Sequence, residues 1–125
     1  MRDLIVAVAI ILLVFISGYF SEKYLIDTGN ELVSRLEVIE AEIKEDKMES
    51  FEELKDIKKR WDEIEVFWNM VTNHLYTDNI ELAFIRLLIS YDEDEKAECL
   101  VNIAEVVAII EDTPRSEKID WVNIF

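Results

Sequence analysis

The sequence predicts an all-α fold, an N-terminal transmembrane helix followed by an antiparallel four-helix bundle. Three observations predict it. Residues Leu4–Phe20 run 17 positions without a charge. Beyond them, apolar residues recur at alternating intervals of three and four, the period of a helix that buries one stripe. Only two Gly and one Pro occur in 125 residues, which leaves few strand turns and argues against sandwiches, barrels and Gly-rich phosphate loops.

The chain divides by composition into an anchor, residues 1–21, and an acidic bundle domain, residues 22–125. Of 28 acidic and 13 basic side chains only Asp3 and Arg2 precede the apolar run, so the whole net charge of −15 falls on the domain. Nucleic acid is excluded as a partner on that balance, because phosphate binding needs clustered Lys and Arg. A single Cys excludes an internal disulfide framework and a Cys-based zinc site.

The apolar run would extend about 26 Å as a helix, slightly short of a hydrocarbon core of about 30 Å. Snorkelling of Lys23, and burial of the next turn with Leu25 and Ile26, would close the gap. Leu4, Ile11, Leu12 and Phe15 would lie in lipid, with Tyr19 and Phe20 at the interfacial aromatic level. A cleaved signal peptide is the rival reading, but its best cleavage site, Ile16-Ser17-Gly18, is poor and bulky aromatics follow at once. The chain is therefore expected at the cell membrane as a single-pass protein. Its very short head carries Arg2, which favours an extracytoplasmic domain by a slight positive-inside bias.

Leu25, Leu32, Leu36, Ile39 and Ile43 form the stripe of the first bundle helix, with Gly29 at the skipped position. The anchor helix is expected to continue into it. The other possibility is a break at Asp27–Asn30, with Thr28 capping a new helix and Glu31 completing a capping box. Ser50, with Glu53 three residues on, reads as the next helix start. Leu54, Ile57, Trp61, Ile64, Trp68, Val71 and Leu75 follow as an unbroken seam, the strongest periodic signal in the chain. A third helix is expected from Asp78 and Glu81. Its segment Leu82–Ile89 is polar only at Arg86 and should lie in the middle of the bundle. Asp92–Glu95 separates it from a last helix packed through Ala97, Leu100, Val101, Ala104, Val107, Ala108 and Ile110 and stopped by Thr113-Pro114. Short connections imply antiparallel neighbours. A helical-repeat solenoid is the competing architecture, but the two hairpins share no motif.

Chemistry-bearing residues are sparse. His74, the only histidine, reads as a helix-end or exposed residue, and Cys99 as a buried thiol whose acidic neighbours raise its pKa. Asp92–Glu95 lacks the central Gly of a calcium loop. Lys58-Lys59-Arg60 is flanked by acids that should pair with it. Asn102 and Glu105 interrupt an apolar helix as a potential polar pair. No catalytic, cofactor-binding or metal-binding residues are assigned, no cofactor is expected, and an enzyme is not expected. Trp121, Ile124 and Phe125, in an apolar tail, are the candidate partner contacts.

The anchor, the Leu/Trp heptad helix, the acid-rich break and the ending Asn123-Ile124-Phe125 resemble a bacterial family known as domain of unknown function 4363. The likeness covers nearly the whole chain and implies short, single-anchor helical membrane proteins with a loose genetic association with a multi-span membrane protein. That pattern contains no catalytic residues. The function expected is a membrane-anchored, non-enzymatic accessory or interaction protein. It would contact the bilayer through its N-terminal helix and another membrane protein or a second copy through its domain. The alternative is a membrane-tethered sensor or ligand- or cation-binding module.

Overall fold

The computed structural model of the chain describes the backbone of residues 1–124 and the side chains of residues 1–113. Four helices make up the fold: α1, Arg2–Lys44; α2, Phe51–Val71; α3, His74–Asp92; and α4, Lys96–Ile124. Each packs on two neighbours in the ring α1–α2–α3–α4–α1, and among the described residues the backbones of diagonally opposite helices do not approach closely. The up-down-up-down bundle expected from the short connections is what forms.

The apolar leader and the first bundle helix are one element. At 43 residues, α1 is about 64 Å long. It is apolar enough near its N-terminus to cross a membrane, and none of its most apolar window is buried against the rest of the protein. No break occurs at Asp27–Asn30. The Thr28 hydroxyl donates back to the Tyr24 carbonyl at 2.6 Å and accepts from the Trp68 indole N–H at 3.0 Å. Both bonds serve an uninterrupted helix and its neighbour, and neither is a cap.

The core is contributed by all four helices. Leu25, Leu32, Leu36, Ile39 and Ile43 of α1 are buried, as are Leu54, Ile57, Trp61, Ile64 and Trp68 of α2. Gly29 fills the skipped position because α4 passes there. A Cβ at residue 29 would lie 3.1 Å from Ile110 Cγ2 and 3.7 Å from Trp68 Cζ2. Gly29→Ala is therefore expected to be near neutral, since relief of the helical glycine penalty of about 1 kcal/mol opposes a small displacement of Ile110. Gly29→Leu should push α4 from α1 and cost about 1–3 kcal/mol by overpacking, seen as a lower denaturant midpoint.

Several sequence expectations are corrected. Asp78 and Glu81 do not start α3. Asn73 caps it, accepting from the Leu75 N–H at 2.8 Å, so Leu75 leaves the α2 seam and lies exposed on α3. Ser50 does precede α2, but its hydroxyl bonds Glu42 and its N–H donates to the Tyr91 hydroxyl at 2.8 Å. Leu82–Ile89 is not central, because a four-membered ring has no middle. Ala83, Phe84 and Leu87 are buried while Leu82, Ile85 and Ile89 face outward.

In α4 the buried stripe is Cys99, Asn102, Ile103, Val106, Ile110 and Thr113, rotated away from the one expected. Both sides of this helix are apolar. The Asn102 amide, which donates to Ser90 Oγ at 3.1 Å, helps fix which side turns inward. Nor does Pro114 stop α4, which continues to Ile124. At the residue before it, the Thr113 hydroxyl donates to the Ile109 carbonyl one turn back, at 2.7 Å.

Candidate functional site

Three features of the surface and polar interior are candidates, and the fold places each.

The first is the α2–α3 polar hub. Glu81, expected to cap a helix, instead receives the Trp61 indole N–H at 2.9 Å and the Lys58 ammonium at 2.9 Å. Lys58 also reaches Asp62 at 2.6 Å. With Glu65, these acids bring three carboxylates within 4.8 Å of one another. That arrangement suits a cation, and it already holds one, the Lys58 ammonium. Burial alone would lower the Lys58 pKa, but the hydrogen bonds and charges of Asp62 and Glu81 outweigh it and leave the group raised. Burial, followed by the Glu81 charge, holds the Glu65 carboxyl above its ordinary value. Its ionised form therefore weakens the fold, and that deficit exists above the raised pKa and vanishes at acid pH where the carboxyl is neutral. Glu65→Gln should raise the unfolding free energy at pH 7 by less than about 1 kcal/mol. Melting curves of the variant and wild type should converge near pH 4.

Of the other two basic residues in the run Lys58–Arg60, Lys59 is exposed and Arg60 pairs. Arg60 grips Glu31 of α1 with two parallel bonds of 2.8 and 3.1 Å, the fork geometry that makes such a contact specific. Burial opposes the resulting rise in its pKa without reversing it. The Lys58–Arg60 cluster is thus largely consumed in joining α2 to α3 and α1.

The second feature is the outer face of α3 and α4. Arg86 pairs with Glu105 at 2.7 Å across the two helices. Glu105 and Asn102 thus both address α3, through different partners, and do not pair with each other. To either side of this ion pair lie exposed stripes, Leu82, Ile85 and Ile89 on α3, and Ala97, Val101, Ala104 and Ala108 on α4. An open hollow of ≈ 190 Å³ near the acidic turn is lined by Arg86, Ile89, Ser90, Glu95, Glu98 and Asn102.

The third is the α1 leader. Leu4, Ile11, Leu12, Phe15, Tyr19 and Phe20, expected to contact lipid, are all exposed. The first buried residue of the chain is Leu25.

Other sequence candidates are resolved locally. His74 is the first residue of α3 rather than the end of α2, and it is exposed. Cys99 is buried, which pushes its thiol pKa up, with Glu95, Asp94 and Glu98 adding to the rise. Asp92–Glu95 lies in the exposed α3–α4 turn, where the Glu93 charge raises the Glu95 carboxyl. The side chains of Trp121, Ile124 and Phe125, the expected partner contacts, lie outside the described residues.

No curated protein and no solved structure matches the chain. The family model described as domain of unknown function (DUF4363) matches residues 19–124, from the end of the apolar run to the last residue of α4, and the chain belongs to that family.

Proposed function

We propose that the protein is a membrane-anchored, non-enzymatic accessory protein whose acidic bundle stands outside the cytoplasm and contacts another membrane protein. The observation that carries this reading is the uninterrupted α1. An unburied apolar leader continues as a helix into a folded bundle, which suits a retained tether better than a segment to be cut away. The exposed stripes of α3 and α4 beside the Arg86–Glu105 pair supply apolar surface of the kind that protein contacts use. Tethering confines the search for a partner to the bilayer plane and raises its effective concentration.

Affinity capture from solubilised membranes tests the reading. The full chain should retain a membrane protein that Leu82→Glu with Ile89→Glu loses, both positions being exposed and dispensable to the core. Trp121→Ala with Phe125→Ala tests the tail as a contact in the same assay. Capture unchanged by both pairs would overturn the assignment of these surfaces, and a reporter fused to the C-terminus reports the side of the membrane. A small-molecule sensor, the second reading, would instead show a specific ligand raising the melting temperature by mass action.

A further inference from the structure

From Val66 through Thr77 the chain carries no Asp, Glu, Lys or Arg. The next longest charge-free run after the leader, Cys99–Ala104, is half that length. In a domain this acidic the gap calls for a physical reason. The fold supplies one through its register. Arg60 bonds Glu31, and the Phe67 ring packs edge-on against Tyr24 with centroids 4.5 Å apart. Seven residues along α2 thus correspond to seven residues back along α1. Continuing that antiparallel register sets Val71 abreast of Phe20 and the α2–α3 turn abreast of Gly18 and Tyr19, where the apolar leader ends.

The side chains at this turn are apolar and outward. Met70 is 77% exposed and Leu75 62%. Asn73 and His74 provide uncharged or weakly basic polarity between them. The opposite end of the bundle is the reverse in kind. There the α1–α2 turn holds Glu45, Asp46 and Glu49, and the α3–α4 turn holds Asp92–Glu95. Lys96 bonds Asp46 and fastens those two turns together. Acidic groups thus crowd both turns at the end far from the leader, whereas the α2–α3 turn itself has none; Glu22 on α1 and Asp78 on α3 follow it toward the bundle.

We infer that the α2–α3 turn is a second membrane contact, with Met70 and Leu75 seated in the lipid headgroup region beside the point where α1 emerges. The inference rests on the reading of α1 as a membrane anchor. Its occupant is lipid rather than protein because the exposed apolar pair continues the leader's apolar surface at the same level. The turn also contributes no acidic side chain of its own, which spares it the repulsion an anionic bilayer surface exerts on the rest of this acidic protein. Two attachment points would hold the bundle upright, presenting the α3–α4 face sideways, in the bilayer plane, and the acidic turns outward.

The test uses the full chain in a Cys99→Ala background, reconstituted in vesicles of phosphatidylcholine and phosphatidylglycerol. A nitroxide is attached singly at Phe15→Cys, Met70→Cys, Leu75→Cys or Glu93→Cys, and its collisions with oxygen and with a water-soluble nickel chelate are measured. The expected result is an oxygen-rich, nickel-protected label at Phe15. Nickel collision rates at Met70 and Leu75 should be several-fold lower than at Glu93. Labels at Met70 and Leu75 as accessible to nickel as that at Glu93, with Phe15 still in lipid, would overturn the second contact and leave the anchor standing. An aqueous Phe15 label would overturn the anchor and this inference together. Protection of the turn that disappears on dilution to one chain per vesicle would identify a second copy as its cover, and would also overturn it.

Discussion

Trp68→Ala should destabilise the bundle by about 3–5 kcal/mol, the cost of deleting a fully buried aromatic side chain whose surroundings collapse only in part. Trp68 is 0% exposed. Its ring meets Trp61 edge-on with centroids 5.5 Å apart, and its Cζ2 lies 3.7 Å from where a Cβ on Gly29 would stand. Its indole N–H donates to Thr28 at 3.0 Å. One side chain therefore joins α2 to α1 at the place where α4 also closes on α1. A domain of this size has about 5–15 kcal/mol of stability in total, so the loss would leave the bundle marginal. Guanidinium unfolding of the micelle-bound chain, followed by near-UV circular dichroism, measures it. Trp68→Phe separates the two contributions, retaining most of the ring contact and losing the N–H donor, for about 1 kcal/mol. Equal losses in the two variants would mean that the hydrogen bond, and not ring burial, dominates the site.

Helices α1 and α2 are legible from spacing because each is polar on its outer side. Only one rotation buries Leu32, Leu36 and Ile39, or Leu54, Ile57 and Trp61, so period and burial agree. In α3 and α4 the pattern is ambiguous, since apolar residues ring the helix and several rotations bury comparable area. What decides the rotation of α4 includes polar contacts between distant residues, Asn102 with Ser90 and Glu105 with Arg86, and no local spacing announces them. Glu81 shows the same limit. Three residues after Asp78 it has the signature of a capping box, yet its carboxylate is claimed by Trp61 and Lys58 on the preceding helix. The charge-free run Val66–Thr77 is plain in the sequence. Its meaning requires the antiparallel register that carries it back to the end of the leader.

Leu12→Arg with Phe15→Arg should release the chain from the bilayer while leaving the bundle folded. Both positions lie in the middle to outer part of the apolar run and both are exposed, so neither supports the core. A charged side chain near the bilayer centre costs about 2.5–3.5 kcal/mol on the insertion scale. Two such changes oppose insertion by about 5–7 kcal/mol before the lost apolar contributions are included. After cell-free synthesis with vesicles, wild type should stay with the lipid through alkaline carbonate washing and the double variant should not. Far-UV circular dichroism of the bundle should be nearly unchanged. The intact mass of the wild-type chain recovered from the membranes of expressing cells, where signal peptidase is present, makes the result decisive, because a retained anchor keeps the leader and a cleaved signal loses it. If partner capture then fails for the released, folded variant but returns at high protein concentration, the tether acts by confinement, and the binding surface belongs wholly to the bundle. Capture that stays lost at any concentration would place part of that surface on the leader itself, where Tyr19 and Phe20 are exposed beside the α2–α3 turn.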